Sequence, residues 1–223
     1  MGFAIAIDGP AGAGKSTIAK ITAKKLGLNY IDTGAMYRAI AYYMHTNSVD
    51  TDDIKAVEAA CELIDMDVEY TADGQQMLIN GENITSHLRE EAVGRLASRV
   101  AKLGVVRSKL VDFQRSLAGS SRIVMDGRDI GTCVLPDAQL KIYLTASVDV
   151  RAKRRYDELT AKGESCDFDV IKKDIADRDY EDMHREISPL KKADDAVLLD
   201  TSDMDIDEVA DSIIRLYEEK ANG

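Results

Sequence analysis

Tryptophan is absent from the 223-residue chain, and cysteine and histidine occur only three times each. Cys61, Cys133 and Cys166 are an odd number with no C-x-x-C pair, which argues against a disulfide framework and against a zinc site. No two of His45, His87 and His184 fall at H-x-x-x-H spacing, so a histidine-ligated metal has little support. Long apolar runs are missing too. The opening run Phe3 to Ile7 meets Asp8 and Gly9 at once, far short of the ~20 residues of a membrane span. A protein with no membrane partner and no targeting segment, at work in a reducing cytoplasm, is the expectation. Positive charge is also scarce: 29 Lys and Arg stand against 40 Asp and Glu, a formal net charge of -11. Such a surface repels a nucleic-acid polymer or an anionic leaflet, so any anionic ligand must meet a local cluster of cations. With 45% hydrophobic and 31% charged residues, the chain can bury a core and is not a disordered tail.

What is there is an alternation of strand and helix patterns. Phe3 to Ile7 reads as a strand buried on both faces, and a Gly-rich turn follows it. Ile18, Ile21, Thr22 and Leu26 repeat at helical spacing over 15–26, and Gly27 closes that helix. Further strands are predicted at 122–125, 139–144 and 196–199, and helices at 147–160 and 205–220. This order implies an α/β fold with a central parallel sheet and helices on both faces. The stretch 65–84 departs from the rhythm. Two turn dipeptides, Asp73-Gly74 and Asn80-Gly81, separate short β-prone runs, which predicts a β-hairpin insertion. Helical faces follow at Leu88, Ala92, Leu96 and Val100, then at Val106, Leu110, Phe113 and Leu117. No repeat and no Pro/Ser linker is present, so nested subdomains of one unit are expected.

Gly9-Pro10-Ala11-Gly12-Ala13-Gly14-Lys15-Ser16 satisfies G-x-x-x-x-G-K-[ST] between a predicted strand and a predicted helix. A polyphosphate has to be wrapped by consecutive backbone N–H groups, and small residues let the chain come that close. The positive end of the following helix adds attraction. Lys15 is expected to reach the β- and γ-phosphates of ATP and the Ser16 hydroxyl to hold Mg²⁺, with Thr17 in the same ATP-binding set. Ile123-Val124-Met125-Asp126 resembles a Walker B strand, whose carboxylate holds the Mg²⁺ or a water bound to it.

Three further segments carry a family resemblance. Asp32-Thr33-Gly34-Ala35-Met36-Tyr37-Arg38 resembles the D-[ST]-G-x-[ILM]-Y-R segment of the bacterial cytidylate kinases, members of the nucleoside monophosphate kinase family. Asp126-Gly127-Arg128-Asp129-Ile130-Gly131-Thr132 is similar to their D-G-R-D-x-G-T segment. Arg178-Asp179 through Asp182 and Arg185 to Pro189-Leu190 is similar to their R-D-x-x-D-x-x-R-x-x-x-P-L stretch. The resemblance spans nearly the whole chain. It implies a phosphate-loop kinase fold with ATP and CMP or dCMP as substrates and Mg²⁺ as cofactor. The implied division is a core (1–37, 105–155 and 170–223), an acceptor-binding subdomain (38–104) that carries the hairpin, and a short lid (156–169). A monomer is expected.

Bringing two phosphates together requires several cations, and Arg38, Arg128 and Arg185 are candidates. With residues 178–185 taken as helical, Arg178, Asp182 and Arg185 share one face: Arg185 for phosphate, Asp182 for ribose hydroxyls, Arg178 to bridge phosphates. A cytosine pocket needs an acceptor opposite N4 and donors opposite N3 and O2. By resemblance Asp129 is that acceptor and Arg107 and Ser98 are donors, with Asp32, Thr33 and Tyr37 near the same pocket. Thr33 stands where some relatives have Ser. Arg151, Arg154 and Arg155 lie at i, i+3 and i+4 on the helix that opens at Ser147. The matching arginines of the family contact ATP at the base of the lid. A switch-type GTPase is disfavoured, because no N-K-x-D segment follows Asn80-Gly81 and Gly is missing three residues after Asp126. The alternatives left open are a phosphate-loop kinase of another acceptor, such as UMP or shikimate, and a protein that only binds ATP.

Overall fold

The computed structural model of the protein describes residues 2–71, 74–119 and 121–222. In chain order the first elements are β1 (Ala4–Asp8), α1 (Lys15–Leu26), β2 (Asn29–Asp32), α2 (Thr33–Thr46) and α3 (Ile54–Leu63). Then come β3 (Met66–Thr71), β4 (Gly74–Ile79), β5 (Glu82–Asn83), a 3-10 turn (Thr85–His87), α4 (Glu91–Val100) and α5 (Gly104–Gly119). The last third holds β6 (Ile123–Gly127), a π-helical turn (Ile130–Val134), β7 (Leu140–Thr145), α6 (Val148–Ala161), α7 (Phe168–His184), β8 (Val197–Asp200) and α8 (Ile206–Asn222). The chain forms two compact units, one of Met1–Tyr30 with Ser120–Gly223, the other of Ile31–Gly119.

The first unit is built on a five-stranded sheet in the order β2-β6-β1-β7-β8. β1 runs parallel to β6 and to β7, and β7 parallel to β8. The expected α/β architecture is therefore present. Ile5, Ala6 and Ile7 are fully buried, so β1 is covered on both faces, as its unbroken apolar run implied. Ile18, Ala19 and Ala23 of α1 and Val209 and Ile213 of α8 pack with Ile5, Ile7, Val124, Leu140, Ile142 and Leu144 in one core. Burial of each such branched side chain contributes about 1.5–3 kcal/mol. α1 ends where the Gly27 N–H donates to the Ala23 and Lys24 carbonyls. The Ser147 hydroxyl caps α6 by accepting from the Val150 N–H, which puts the first helical residue one place after the expected start. α6 and α7 form an antiparallel pair with a small core of its own, Ala152, Ile171 and Ile175, with Tyr156, Leu159 and Phe168 against it.

The second unit holds a three-stranded sheet in the order β3-β4-β5, antiparallel throughout. The Asn80-Gly81 turn joins β4 to β5 with both residues at positive φ, 52° and 81°, the geometry a two-residue type I′ hairpin demands. Of the other expected dipeptide, Asp73 lies outside the described residues. α5 packs against α3 and α2, so this unit runs on to Gly119, beyond the 38–104 expected for the acceptor-binding segment.

Gly9 opens the phosphate loop at φ 153°, and a β-carbon there would lie 1.9 Å from the Leu144 carbonyl oxygen on β7. Gly81 has open space around its missing β-carbon. Urea denaturation is expected to show a loss of about 1 kcal/mol for Gly81→Ala, the left-handed penalty alone. Gly9→Ala is expected to cost about 3 kcal/mol or more, because sheet backbone has to move. Equal losses would contradict this close approach.

Candidate active site

The loop of residues 9–14 leaves β1 and enters α1 at Lys15. α1 has no capping side chain and no acidic residue in its first turn, so its N-terminal N–H groups form an anion site. Lys15 is 6% exposed, and its Nζ donates to the Pro10 carbonyl oxygen at 2.7 Å. Burial depresses the Lys15 pKa well below the usual lysine value, and the Arg128 charge pushes it further down, against the pull of Asp126, Asp8 and Asp182. A phosphate-loop lysine and an arginine expected on the acceptor side therefore share one electrostatic neighbourhood.

Asp126 lies one residue before the end of β6, in register with Ile7 of β1. The Ser16 hydroxyl donates to its Oδ2 at 2.8 Å and the Tyr30 hydroxyl to its Oδ1 at 2.7 Å. Among the described residues no three His, Cys, Asp or Glu side chains are grouped as a protein metal cage would require. A hydroxyl and a carboxylate at contact distance fit Mg²⁺, which takes hard oxygen ligands, few of them from protein, and keeps several waters. Ser16 and Asp126 are the pair that fits.

Asp8 belongs to none of the sequence motifs and still has a defined place. Its two carboxylate oxygens accept the Ile130 and Gly131 N–H groups, each at 2.7 Å, and so anchor the π-helical turn that follows Asp129. Burial pushes its pKa up to about 6; the two N–H groups and Lys15 oppose this, and Asp129 adds to it. The available signal was an acidic residue closing an otherwise apolar strand at the edge where the loop begins.

Arg128, Asp129, Asp182 and Arg185 come together. Arg128 Nε lies 2.8 Å from Asp182 Oδ2. Arg185 Nη2 lies 3.4 Å from Asp129 Oδ1 and its Nη1 3.9 Å from Asp182 Oδ1, while its Nε donates to the Ser188 carbonyl at 2.6 Å. The helical reading holds only as far as His184. Arg185 is extended (φ -63°, ψ 143°), because the chain turns back at Ser188 and the Leu190 N–H returns to the Asp182 carbonyl. Arg185 thus reaches the cluster from beyond the helix, and Arg178 lies exposed on α7.

The three α6 arginines face different partners. Arg151 is 4% exposed and turns inward to Ala146, Ala11 and Asp179. Arg154 bonds the Thr201 carbonyl and hydroxyl, and exposed Arg155 pairs with Glu158. Although the three lie at i, i+3 and i+4 on one helix, their guanidinium groups diverge to separate partners.

In the second unit, Asp32 caps α2, its Oδ1 accepting the Ala35 N–H at 2.9 Å. The helix therefore starts at Thr33 and takes Gly34 into its first turn. Gln75 of β4 accepts the Asp32 N–H and donates to the Asp32 carbonyl, which ties the hairpin to this segment. Thr33 is buried, and Tyr37, Arg38 and Ser98 are half-buried. Arg107 is 3% exposed, with its guanidinium 5.8 Å from the Tyr37 ring centroid and Nη1 on the Ala101 carbonyl. Its burial under an aromatic ring sets it apart from a solvated helix residue.

Because the Asp8 pKa is raised above 3.8, the folded protein holds this proton more tightly than the unfolded chain does. The contribution of Asp8 to stability therefore falls as pH rises from 3.8 through about 6. Carbon-13 NMR of the Asp8 carboxyl is expected to give a midpoint near 6. A midpoint at or below the ordinary aspartate value would contradict its dry environment.

A family model described as cytidylate kinase matches residues 5–219. The cytidylate kinase of Lactobacillus johnsonii is 49% identical over 216 residues, 97% of this chain and 94% of that protein. The cytidylate kinase of a Geobacillus strain is 49% identical over 97% of this chain and 96% of its own length. That of Streptococcus pneumoniae is 50% identical over 94% of each. Among solved structures, TT1252 from Thermus thermophilus superposes with a TM-score of 0.53 at 14% identity, covering 100% of this chain and 99% of that one. Shikimate kinase from Acinetobacter baumannii in complex with shikimate reaches 0.50 at 15%, covering 98% and 94%. At these identities the structural likeness speaks for the fold alone. The family match, end to end and at about half identity, decides the rest: the chain belongs to the cytidylate kinase family.

Proposed function

We propose that this protein transfers the γ-phosphoryl group of ATP to CMP, and to dCMP, giving ADP and the cytidine diphosphate. The observation that carries the reading is the electrostatic neighbourhood of Lys15, Arg128, Asp126, Asp8 and Asp182 beside an uncapped helix N-terminus. Cations for two phosphates lie there, in a chain whose family acts on a nucleoside monophosphate.

The N–H groups of residues 12–17 receive the β- and γ-phosphates, and Lys15 exchanges the Pro10 carbonyl for a phosphate oxygen. Phosphate anions raise the depressed Lys15 pKa, so binding and protonation of the ammonium reinforce each other. Ser16 and Asp126 would hold Mg²⁺, which would supply charge neutralisation to the phosphates. Arg128 and Arg185 exchange Asp182 and Asp129 for the acceptor phosphate, helped by Arg38 and Arg178. Asp129, once released, accepts from the cytosine amino group, with Arg107 and Ser98 as donors, Thr33, Tyr37 and Asp32 lining the pocket, and Asp182 receiving ribose hydroxyls. No general base is required, because the attacking phosphate oxygen has a second pKa near ~6 and is already ionised at neutral pH. Catalysis is placement and charge neutralisation in an in-line transfer. We further assign 38–104 to acceptor binding and 156–169, with Arg154 and Arg155 at its base, to a lid that excludes water over ATP. Free thiols at Cys61, Cys133 and Cys166 support work in a reducing cytoplasm.

Purified protein with Mg-ATP and each of CMP, dCMP, UMP, AMP and shikimate tests the assignment by ADP release. CMP and dCMP are expected to stimulate release most, and stimulation by none of the five would remove the kinase reading. Lys15→Ala is expected to lower kcat by roughly a hundredfold or more while circular dichroism stays native. Asp129→Ala should shrink the preference for CMP over UMP; an unchanged ratio at a lower rate would move base reading to another residue.

A further inference from the structure

Ala11 stands at the tip of the phosphate loop, and side chains distant in sequence hold both of its backbone groups. Its N–H donates to Asp179 Oδ1 at 3.1 Å, across 168 residues of sequence. Its carbonyl accepts from Arg151 Nη1 at 2.8 Å, across 140. The same Nη1 lies 2.6 Å from Asp179 Oδ2, and Arg151 Nε donates to the Ala146 carbonyl at 2.9 Å. Asp179 is 7% exposed and Arg151 4%. The next loop residue lies against the same two helices: a β-carbon on Gly12 would be in ordinary van der Waals contact with Arg151 Cβ at 3.4 Å and with Ile175 Cδ1 at 3.8 Å. Two helices, α6 through Arg151 and α7 through Asp179 and Ile175, thus close on the outer side of the loop.

Deepening the kinase reading and resting on it, we propose that Asp179 and Arg151 are positioning residues for ATP. They form a buried ion pair that fixes the phosphate loop through Ala11 and touch no nucleotide themselves. A buried ion pair contributes little net stability, since desolvation of both charges offsets their attraction. What it does supply is geometry, because a carboxylate and a guanidinium with fixed partners leave the Ala11 peptide one orientation. The Ala11 N–H, engaged by Asp179, is withheld from phosphate, and the remaining loop N–H groups are aimed by that constraint. α7 also carries Asp182, the partner of Arg128. One helix therefore sets the loop that receives ATP and holds the carboxylate that yields to the acceptor phosphate.

The test compares Asp179→Ala and Asp179→Asn with wild type by steady-state kinetics in each substrate and by thermal unfolding. Asp179→Ala is expected to raise the KM for ATP at least tenfold at saturating CMP and to leave the KM for CMP within twofold. Asp179→Asn keeps an oxygen for the Ala11 N–H and should fall between that variant and wild type. A lowered melting temperature with both KM values unchanged, or both raised together, would reduce the pair to general structural support and overturn the proposal. Should neither variant fold, amide hydrogen exchange on the wild-type protein decides. Slow exchange at Ala11 with and without a non-hydrolysable ATP analogue is the expected result, and exchange as fast as that of an exposed loop overturns it. Wild-type protein inactive on every acceptor would instead strike the kinase reading and leave the Ala11 geometry standing.

Discussion

Like charges held close together are the constraint on which the rest of this structure depends. A phosphoryl-transfer site needs an ammonium and several guanidinium groups within reach of one another, and in a dry site they repel strongly. Here each cation is matched to an oxygen of the protein: Lys15 to the Pro10 carbonyl, Arg128 to Asp182, Arg185 to Asp129 and Asp182. In the proposed transfer, phosphate oxygens would replace these protein oxygens. Exchange of a carboxylate for a phosphate keeps the same kind of bond and the same sign of charge, so the exchange is nearly balanced and the net gain comes from the extra charge on the nucleotide. An acidic chain is suited to this, since carboxylates are plentiful where the cations gather.

The sheet explains why the charges meet where they do. β1 lies in the middle, with β6 and β2 on one side and β7 and β8 on the other. The chain leaves β1 towards β2 and leaves β6 towards β7, so the connections part between β1 and β6, the place where open parallel sheets bind ligands beyond their carboxyl ends. Asp8 ends β1 and Asp126 lies one residue before the end of β6 at that edge, and the phosphate loop starts directly after Asp8. Each carboxylate then does a different job because its partners differ. Asp126 receives two hydroxyls and keeps the oxygen chemistry a hard cation prefers. Asp8 receives two backbone N–H groups, is driven towards its neutral form by burial, and holds the turn after Asp129.

In the second unit the hairpin does more than enlarge the surface. Gln75 imitates a strand neighbour for Asp32, taking its N–H and giving to its carbonyl, so the insertion braces the start of α2. Asp32 in turn is occupied as the helix cap. Arg107 illustrates the opposite case: a residue in a helical stretch without a distinctive motif, which packing carries under Tyr37 and out of solvent.

Features governed by neighbours a few residues away were legible in the sequence: the buried first strand, the phosphate loop, the helix from Lys15 to Leu26, the Asn80-Gly81 turn and the alternation that produces a parallel sheet. Steric limits, capping and hydrophobic period act over one turn or one strand, and each leaves a local pattern. The same locality misled where partners intervened. Helical spacing placed Arg151, Arg154 and Arg155 close together and extended the helix through Arg185, but the guanidinium groups of the first three take different oxygen partners and the turn at Ser188 releases the last from the helix. Only the tertiary structure decided which carboxylate meets which backbone, as when Asp8 reaches Ile130 across 122 residues and Asp179 reaches Ala11 across 168. A charged group selects its partner by distance in space and by loss of water, and neither is set until the chain has folded around it.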